Sequence, residues 1–178
     1  MIDPIHFSSD SDNWVTPEVI INAVIQTMGA IELDPCSPSD SGPVPAKTHF
    51  TKETDGLNQE WFGRVYMNPP YGRNIRLWVE KAISEYESRQ VSEAILLLPA
   101  RTDTKWFQLL GQYPWCAVKG RLKFSDHENS APFPSAVFYL GKNYVEFIES
   151  FSPLGIIWEV SERAYSWPNV PIRDGGIA

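Results

Sequence analysis

Two kinds of apolar pattern alternate along this chain. Residues spaced i, i+3, i+4 and i+7 predict helices that start at Thr16-Pro17 and stop at Gly29, and that cover residues 75–86. Weaker patterns predict a helix from Thr102 or Asp103 to Gly111 and another over 143–150. Short apolar runs predict strands at 30–33, 64–67, 94–98, 115–118, 136–140 and 156–160, of which 30–33 is expected to be buried and 94–98 to be covered on both faces. This alternation predicts a single α/β domain, 1–178, with a mostly parallel sheet and a flexible, polar lead-in over 1–13.

Two polar, proline-containing loops follow predicted strands. They read Asp34-Pro35-Cys36 and Asn68-Pro69-Pro70-Tyr71, and the first continues into a long Ser-, Pro- and Asp-rich stretch up to residue 46. Ligands of open α/β sheets bind outside the carboxyl ends of the strands, and long loops inside compact domains are usually functional or disordered. The sequence therefore predicts a ligand site built from these two loops.

The loop Asn68-Pro69-Pro70-Tyr71 has a distinct chemistry. Its consecutive prolines stiffen the backbone and remove two donors, which leaves carbonyl oxygens free to accept. The carboxamide of Asn68 adds an acceptor, and Tyr71 adds a flat aromatic face. Acceptors and a stacking surface suit a planar substrate that carries an NH2 group, although a simple Pro-Pro turn closed by an Asx hydrogen bond would read the same.

Charge divides the chain into unlike parts. Its 15 basic and 22 acidic residues give a net charge of −7, which disfavours sequence-blind coating of nucleic acid and binding to anionic lipid. Residues 1–60 carry 2 basic and 10 acidic groups, whereas residues 61–125 carry 10 basic and 5 acidic groups. The middle third is therefore basic, within an acidic protein.

Several protein classes are disfavoured. With only Cys36 and Cys116, and with three widely separated histidines, no disulfide framework or closed zinc site is expected. No apolar run approaches the roughly 18 residues that cross a bilayer, and the first residues lack the pattern of a signal peptide. We expect a cytoplasmic protein without a metal and without membrane contact.

Six segments, taken in order, resemble the phage-type DNA N6-adenine methyltransferases, the Dam-like family. Five of them are Trp14-Val15-Thr16-Pro17, Leu33-Asp34-Pro35-Cys36, Thr54-Asp55-Gly56-Leu57 with Trp61, Asn68-Pro69-Pro70-Tyr71, and residues 99–104 with Trp106-Phe107; the sixth is Gly120-Arg121-Leu122-Lys123-Phe124. The resemblance implies a Rossmann-like, S-adenosylmethionine-dependent methyltransferase fold with helices on both faces of the sheet. It also implies that S-adenosylmethionine is the cofactor and S-adenosylhomocysteine the product.

The resemblance assigns cofactor roles to the acidic third. Thr16 and Pro17 would approach the methionine end of the cofactor, with a capping role for Thr16 as an alternative. Asp34, followed by Pro35 and Cys36, would face the methionine ammonium group. Asp55 would accept a hydrogen bond from the cofactor adenine, with Leu57 against the ring. The usual glycine-rich turn is missing after Asp34, since the first glycine of this loop is Gly42.

The resemblance places the substrate in the basic third. Asn68, Pro69, Pro70 and Tyr71 would be catalytic: acceptors hold the adenine amine while Tyr71 stacks on an extruded base. Phe124 would cover the opposite face of that base, and Arg101, Arg121 and Lys123 would meet phosphate.

The implied partner is DNA, expected to be double-stranded, in the cytoplasm of a bacterial host if the gene belongs to a phage or prophage. No separate recognition module fits in the chain, so bases would be read by loops around residues 100–135. Two alternatives stay open: a methyltransferase of this fold that acts on RNA or on a protein glutamine, and a DNA-binding protein of this fold that has lost turnover.

Overall fold

The computed structural model describes residues 14–124 and 130–159. The helices are α1 (Glu18–Met28), α2 (Ile75–Glu87), α3 (Lys105–Leu109) and α4 (Tyr144–Phe151). The strands are β1 (Ile31–Asp34), β2 (Ala46–His49), β3 (Gly63–Met67), β4 (Val91–Pro99), β5 (Trp115–Val118), β6 (Ser135–Leu140) and β7 (Gly155–Trp158). Short 3-10 helices cover Gly56–Asn58 and Leu110–Gln112. The predictions for 1–13 and for residue 160 fall outside the described residues.

All seven of these strands form one sheet in the order β2-β1-β3-β4-β6-β5-β7. Strands β1 to β4 pair in parallel, β6 is antiparallel to both β4 and β5, and β7 is antiparallel to β5. Five strands therefore point one way, and β6 and β7 point the other way. The predicted mostly parallel, Rossmann-like sheet is confirmed.

The helices cover both faces of the sheet. Successive residues of a strand point to opposite faces. In β6, Phe138 packs on Phe107 of α3 with ring centroids 5.0 Å apart, and Tyr139 packs on Phe147 of α4 at 5.1 Å. Because α2 contacts α3 and α1 contacts α4, the pairs α2/α3 and α1/α4 form opposite layers. This two-sided cover explains why eight of the nine β4 residues are buried.

The sequence patterns missed one strand. The long loop after Asp34 was expected to be irregular up to residue 46, but Ala46–His49 pairs with β1 as β2 at the sheet edge. Its residues are exposed or only partly buried, because an edge strand is covered incompletely. A strand with one apolar residue in four produces no apolar run, so the pattern could not reveal it.

Two predicted helix starts were wrong in detail. Helix α1 begins after Pro17, and no side chain caps it; Thr16 uses its hydroxyl elsewhere. Helix α3 is capped by Thr104, whose side chain accepts from the backbone N–H of Phe107, and neither Thr102 nor Asp103 holds that position. Within the described residues, no helix is both long and apolar enough to cross a membrane.

Candidate functional site

The candidate site lies where the strand order reverses. From β1 the chain passes to β2 on one side, whereas β3 pairs with β1 on the other side. The crevice at such a switch point, outside the carboxyl ends of the strands, is the usual ligand site of open α/β sheets. Asp34 ends β1 and Asn68 directly follows β3, so both predicted loops meet at this crevice.

Asp34 is buried at the end of β1. It is 3% exposed, and one carboxylate oxygen, Oδ1, accepts from the backbone N–H of Cys36 at 3.2 Å. Burial raises the pKa of Asp34 to about 7, although hydrogen bonds from Cys36 and Ser37 oppose the shift. His49 Nδ1 lies 3.8 Å from the other oxygen, Oδ2, and 3.1 Å from the Ser37 hydroxyl. A buried carboxyl with this pKa is well suited to a cationic ligand, which would restore its charge.

The Asn68 side chain uses its donors and leaves its acceptor open. Nδ2 donates to the backbone carbonyl of Trp14 at 2.5 Å and to the Thr16 hydroxyl at 3.1 Å. Its carbonyl oxygen, Oδ1, is buried and has no hydrogen-bond partner within residues 14–124 and 130–159. An unpaired buried acceptor costs stability, and such a group is explained when a ligand donor completes it. The predicted role of Asn68 as an acceptor agrees with this geometry.

A small cavity joins the two loops. It has a volume of about 30 Å³ and is lined by Trp14, Val15, Thr16, Asp34, Cys36, Pro38, Pro43, Val44 and Asn68. The backbone N–H of Asn68 also faces the Cys36 thiol, whose pKa is raised by burial and by Asp34. The segment 14–16 thus lies across both Asp34 and Asn68.

A larger groove opens beside that cavity. Its volume is about 470 Å³, within the range of small-molecule sites. Cys36 and Pro38 line both spaces. The groove is lined by Pro35, Cys36, Ser37, Pro38, Thr51, Lys52, Glu53, Asp55, Gly56, Leu57, Pro70, Asn74 and Trp78. Four predicted cofactor residues, Pro35, Cys36, Asp55 and Leu57, are among them.

Asp55 shapes one wall of the groove. It has a positive φ of 52°, and its carboxylate accepts from the backbone N–H of Leu57 at 3.3 Å and from the Asn58 amide at 2.6 Å. A carboxylate can accept about four hydrogen bonds, so the exposed Asp55 keeps acceptor capacity for a ligand.

Gly56 is a glycine at which the backbone of the loop after Asp34 approaches closely. A Cβ at this position would lie 1.9 Å from the carbonyl oxygen of Pro35. The indole N–H of Trp61 donates to the Gly56 carbonyl at 2.8 Å and anchors this turn. The Asp55-Gly56-Leu57 turn is therefore packed directly on the loop after β1.

Tyr71 lies among aromatic rings. Its hydroxyl donates to the Leu97 carbonyl at 3.3 Å, and the residue is 6% exposed. Trp14 is stacked on it at 6.4 Å, and Phe124 and Phe133 present edges to it at 6.4 and 5.3 Å. Phe124 is fully buried. In this conformation, protein side chains cover the face on which a base would stack.

The predicted phosphate-binding residues lie at the carboxyl end of the parallel strands, as Asp34 and Asn68 do. Arg101 follows the carboxyl end of β4, and Arg121 and Lys123 follow that of β5, which points the same way. All three are exposed, and none forms an ion pair with another described residue. The backbone N–H of Ala131 donates to the Leu122 carbonyl and closes this segment beside Tyr71.

Several site residues gave no local signal in the sequence. Tyr66 bonds Thr16, Trp14 covers Tyr71, and His49 approaches Asp34; each partner is at least 15 residues away in the chain. Among the described residues, no group of three or more His, Cys, Asp or Glu side chains could hold a metal ion.

Comparison with known proteins gives one match that spans most of the chain. The family model described as "DNA N-6-adenine-methyltransferase (Dam)" matches residues 6–161. A search of curated proteins found no match.

Two solved structures are also similar. The 23S rRNA methyltransferase ErmE has a TM-score of 0.45 and 14% identity, covering 73% of this chain and 70% of its own. A dimethyladenosine transferase from Plasmodium falciparum has a TM-score of 0.45 and 12% identity, covering 79% of this chain and 67% of its own.

Proposed function

We propose, since the chain belongs to the DNA N-6-adenine-methyltransferase (Dam) family, that it transfers a methyl group from S-adenosylmethionine to the N6 amine of adenine in DNA. The observation that carries the proposal is the buried Oδ1 of Asn68, which has no partner among the described residues and belongs to a side chain that lines the same cavity as Asp34. The first group suits an NH2 substrate, and the second suits a cationic cofactor.

The residues around the groove fit the cofactor. Asp34 would pair with the methionine ammonium group, and the cavity that it shares with Thr16 lies beside Pro17. Asp55 would accept from the adenine amine of the cofactor, with Leu57 and Pro70 as apolar walls. When bound, S-adenosylmethionine supplies an electrophilic methyl group and leaves as S-adenosylhomocysteine.

Asn68 acts as an acceptor, not as a base. The lone pair of an adenine amine is delocalised into the ring, so the nitrogen is a weak nucleophile. An N–H bond held by Asn68 Oδ1, with the Pro69 carbonyl as a second acceptor, favours a pyramidal nitrogen and stabilises its developing positive charge. The amine proton then passes to solvent, which requires no basic side chain.

The exposed basic residues at the carboxyl end of the strands support a nucleic-acid substrate. N6 cannot reach the active site while adenine is stacked in a duplex, so the target base must be extruded toward Tyr71. Arg101, Arg121 and Lys123 are free to contact backbone phosphates, which position a duplex without reading its sequence. We expect the protein to act in the cytoplasm, which would be that of a bacterial host if the gene belongs to a phage or prophage.

The test is methyl incorporation from labelled cofactor into unmethylated duplex DNA, RNA and protein, followed by nucleoside and peptide mass spectrometry. We expect N6-methyladenine in DNA. Asn68→Ala should lose most turnover and still bind cofactor in calorimetry, because its side chain contacts the amine and not the cofactor.

Other products would identify the alternatives. Methyladenosine in RNA alone, or methylglutamine in protein, would keep the fold and change the acceptor. Cofactor binding without any methyl transfer would favour a DNA-binding protein that has lost turnover. N6-methyladenine formed equally well by Asn68→Ala would overturn the role of this residue.

A further inference from the structure

A chain of buried hydrogen bonds leads from β3 to the Asn68 side chain. The hydroxyl groups of Tyr66 and Thr16 lie 2.9 Å apart, and Thr16 Oγ1 lies 3.1 Å from Asn68 Nδ2. Tyr66 is 1% exposed and Thr16 is 4% exposed. Solvent therefore does not compete for these bonds.

The direction of the Asn68 amide follows from the chemistry of its partners. The Trp14 backbone carbonyl can only accept, so the amide nitrogen must face it. Nδ2 has a second proton, and the Thr16 oxygen accepts it. With both protons bound, the carboxamide cannot rotate without breaking two hydrogen bonds, and Oδ1 remains directed away from them.

Burying the Tyr66 hydroxyl costs free energy of folding, so we expect the group to have a role. A buried hydroxyl loses its hydration, and a phenylalanine would fill the same space in β3 without that cost. Burial raises the pKa of Tyr66 well above its usual range, so the group stays a neutral hydroxyl. Its one described hydrogen bond fixes the Thr16 side chain, whichever of the two oxygens donates.

We propose that Tyr66 is a positioning residue for the transfer reaction: through the Thr16 hydroxyl, it holds the Asn68 carboxamide with Oδ1 toward the substrate amine. This inference rests on the proposed function of Asn68 and extends it by two residues. Tyr66 touches neither substrate nor cofactor in this role.

The kinetic test compares Tyr66→Phe, Thr16→Val and Thr16→Ser. Removing either hydroxyl weakens or removes the bond from Thr16 and leaves the amide held mainly by the Trp14 carbonyl. Small misplacements of a reacting group reduce rates strongly. We expect Tyr66→Phe and Thr16→Val each to lower kcat by about tenfold or more, with the KM of DNA within about twofold of the wild type. The Kd of cofactor should also stay within about twofold in Tyr66→Phe, because Tyr66 does not line the cavity that Thr16 shares with Asp34. Thr16→Ser keeps the hydroxyl and should restore kcat. The double variant should be no slower than Thr16→Val alone, because the two residues act through one path.

Tyr139→Phe is the matched control. The Tyr139 hydroxyl is also buried and donates a hydrogen bond to Glu93, which lies near the start of β4. This pair is therefore at the opposite end of the strands from Asn68. Loss of the Tyr139 hydroxyl should leave kcat unchanged although it removes two hydrogen bonds, one donated to Glu93 and one accepted from the backbone N–H of Asn143. A kcat for Tyr66→Phe that equals that of Tyr139→Phe would overturn the proposal.

A second measurement does not depend on activity. The side-chain amide signals of Asn68, identified by their absence in Asn68→Ala, should be shifted and protected from hydrogen exchange in the wild type. Tyr66→Phe should remove that protection, and Tyr139→Phe should keep it. Unchanged protection in Tyr66→Phe refutes the positioning role, whereas a protein that methylates no adenine refutes the proposed function and leaves this result to decide the geometry.

Discussion

The indole ring of Trp14 is stacked on the phenol ring of Tyr71, with centroids 6.4 Å apart and planes inclined by 24°. The other two rings around Tyr71, Phe124 and Phe133, meet it edge-on. Trp14 is therefore the neighbour that lies parallel to Tyr71, as an extruded base would. An adenine that stacks on Tyr71 must displace this indole or insert beside it.

We expect base binding to move Trp14 into a more polar environment. In the presence of a cofactor analogue, an adenine-containing oligonucleotide should shift the tryptophan emission to longer wavelength. The same oligonucleotide should cause little shift in Trp14→Phe, which keeps an aromatic ring at this position. An all-thymine oligonucleotide is the control, and an equal shift with it, or with Trp14→Phe, would contradict displacement of Trp14.

The pKa of Asp34 predicts a pH dependence of cofactor binding. Burial raises it to about 7, so below this pH the free protein carries mostly the protonated, uncharged form. In the proposed complex the ammonium of the cofactor pairs with the carboxylate, so affinity should rise with pH by up to about tenfold per unit below pH 7 and level off above it. Calorimetry in buffers of different ionisation enthalpy should detect proton release. Asp34→Asn should bind weakly and without this slope.

The sign for stability is opposite in the ligand-free protein. The folded state binds the Asp34 proton more tightly than the unfolded chain, in which an aspartate has its ordinary pKa of 3.8. This group therefore makes the free energy of unfolding fall as pH rises from 3.8 to about 7. Urea denaturation at a series of pH values checks the slope, and Asp34→Asn should abolish it. A slope that survives Asp34→Asn would contradict the assignment to this group.

Phe124 is expected to stabilise the fold as well as the base pocket. It is fully buried, with its ring centroid 5.0 Å from that of Trp14. Phe124→Ala should lower the free energy of unfolding by about 3–5 kcal/mol in urea denaturation. Phe124→Leu should cost less than half of that, and its loss of turnover would then report on base contact. A fully stable Phe124→Ala variant would show that the residue packs less tightly than its burial indicates.

Arg101, Arg121 and Lys123 should contribute mainly to DNA affinity. Replacing any one by Gln should weaken binding and reduce the slope of log K against log salt by about 1. The kcat at saturating DNA should change little, because no described hydrogen bond links any of these side chains to Asn68. Lys142→Gln is the control. Lys142 is exposed and follows β6, which ends near the start of β4, at the opposite end of the strands from Arg101. Loss of the same salt slope in that variant would place the DNA elsewhere.

The sequence was most informative where chemistry and strand ends coincide. The loops at Asp34 and Asn68 could be recognised because each follows a short apolar strand, and the order of strands then brings them together at the switch point. Apolar residues also predicted β5 to the residue, because its side chains pack on strands and on helices of both faces. The edge strand β2 has no such run, and its pairing with β1 depends on the tertiary fold.

Contacts between distant residues account for what the sequence did not reveal. Thr16 looked like a helix cap because local patterns weigh only neighbours, whereas its hydroxyl bonds Tyr66 and Asn68, which are 50 and 52 residues away. The burial that shifts the pKa of Asp34 likewise depends on packing around the whole loop. The burial of side chains and the pairing register of the strands are therefore needed to show which predicted residues lie together in one site.

The antiparallel direction of β6 separates what can vary in this molecule from what cannot. β5 ends and β6 begins at the same end of the sheet, and described residues of the connection between them, Phe124 and Phe133, lie beside Tyr71. Phe124 is buried against Trp14 and has to be kept, whereas exposed positions such as Arg121 and Lys123 can change without altering a strand pair or the groove at Asp55. New target preferences can thus evolve at the exposed positions of this connection, independently of the half of the sheet that would hold the methyl donor.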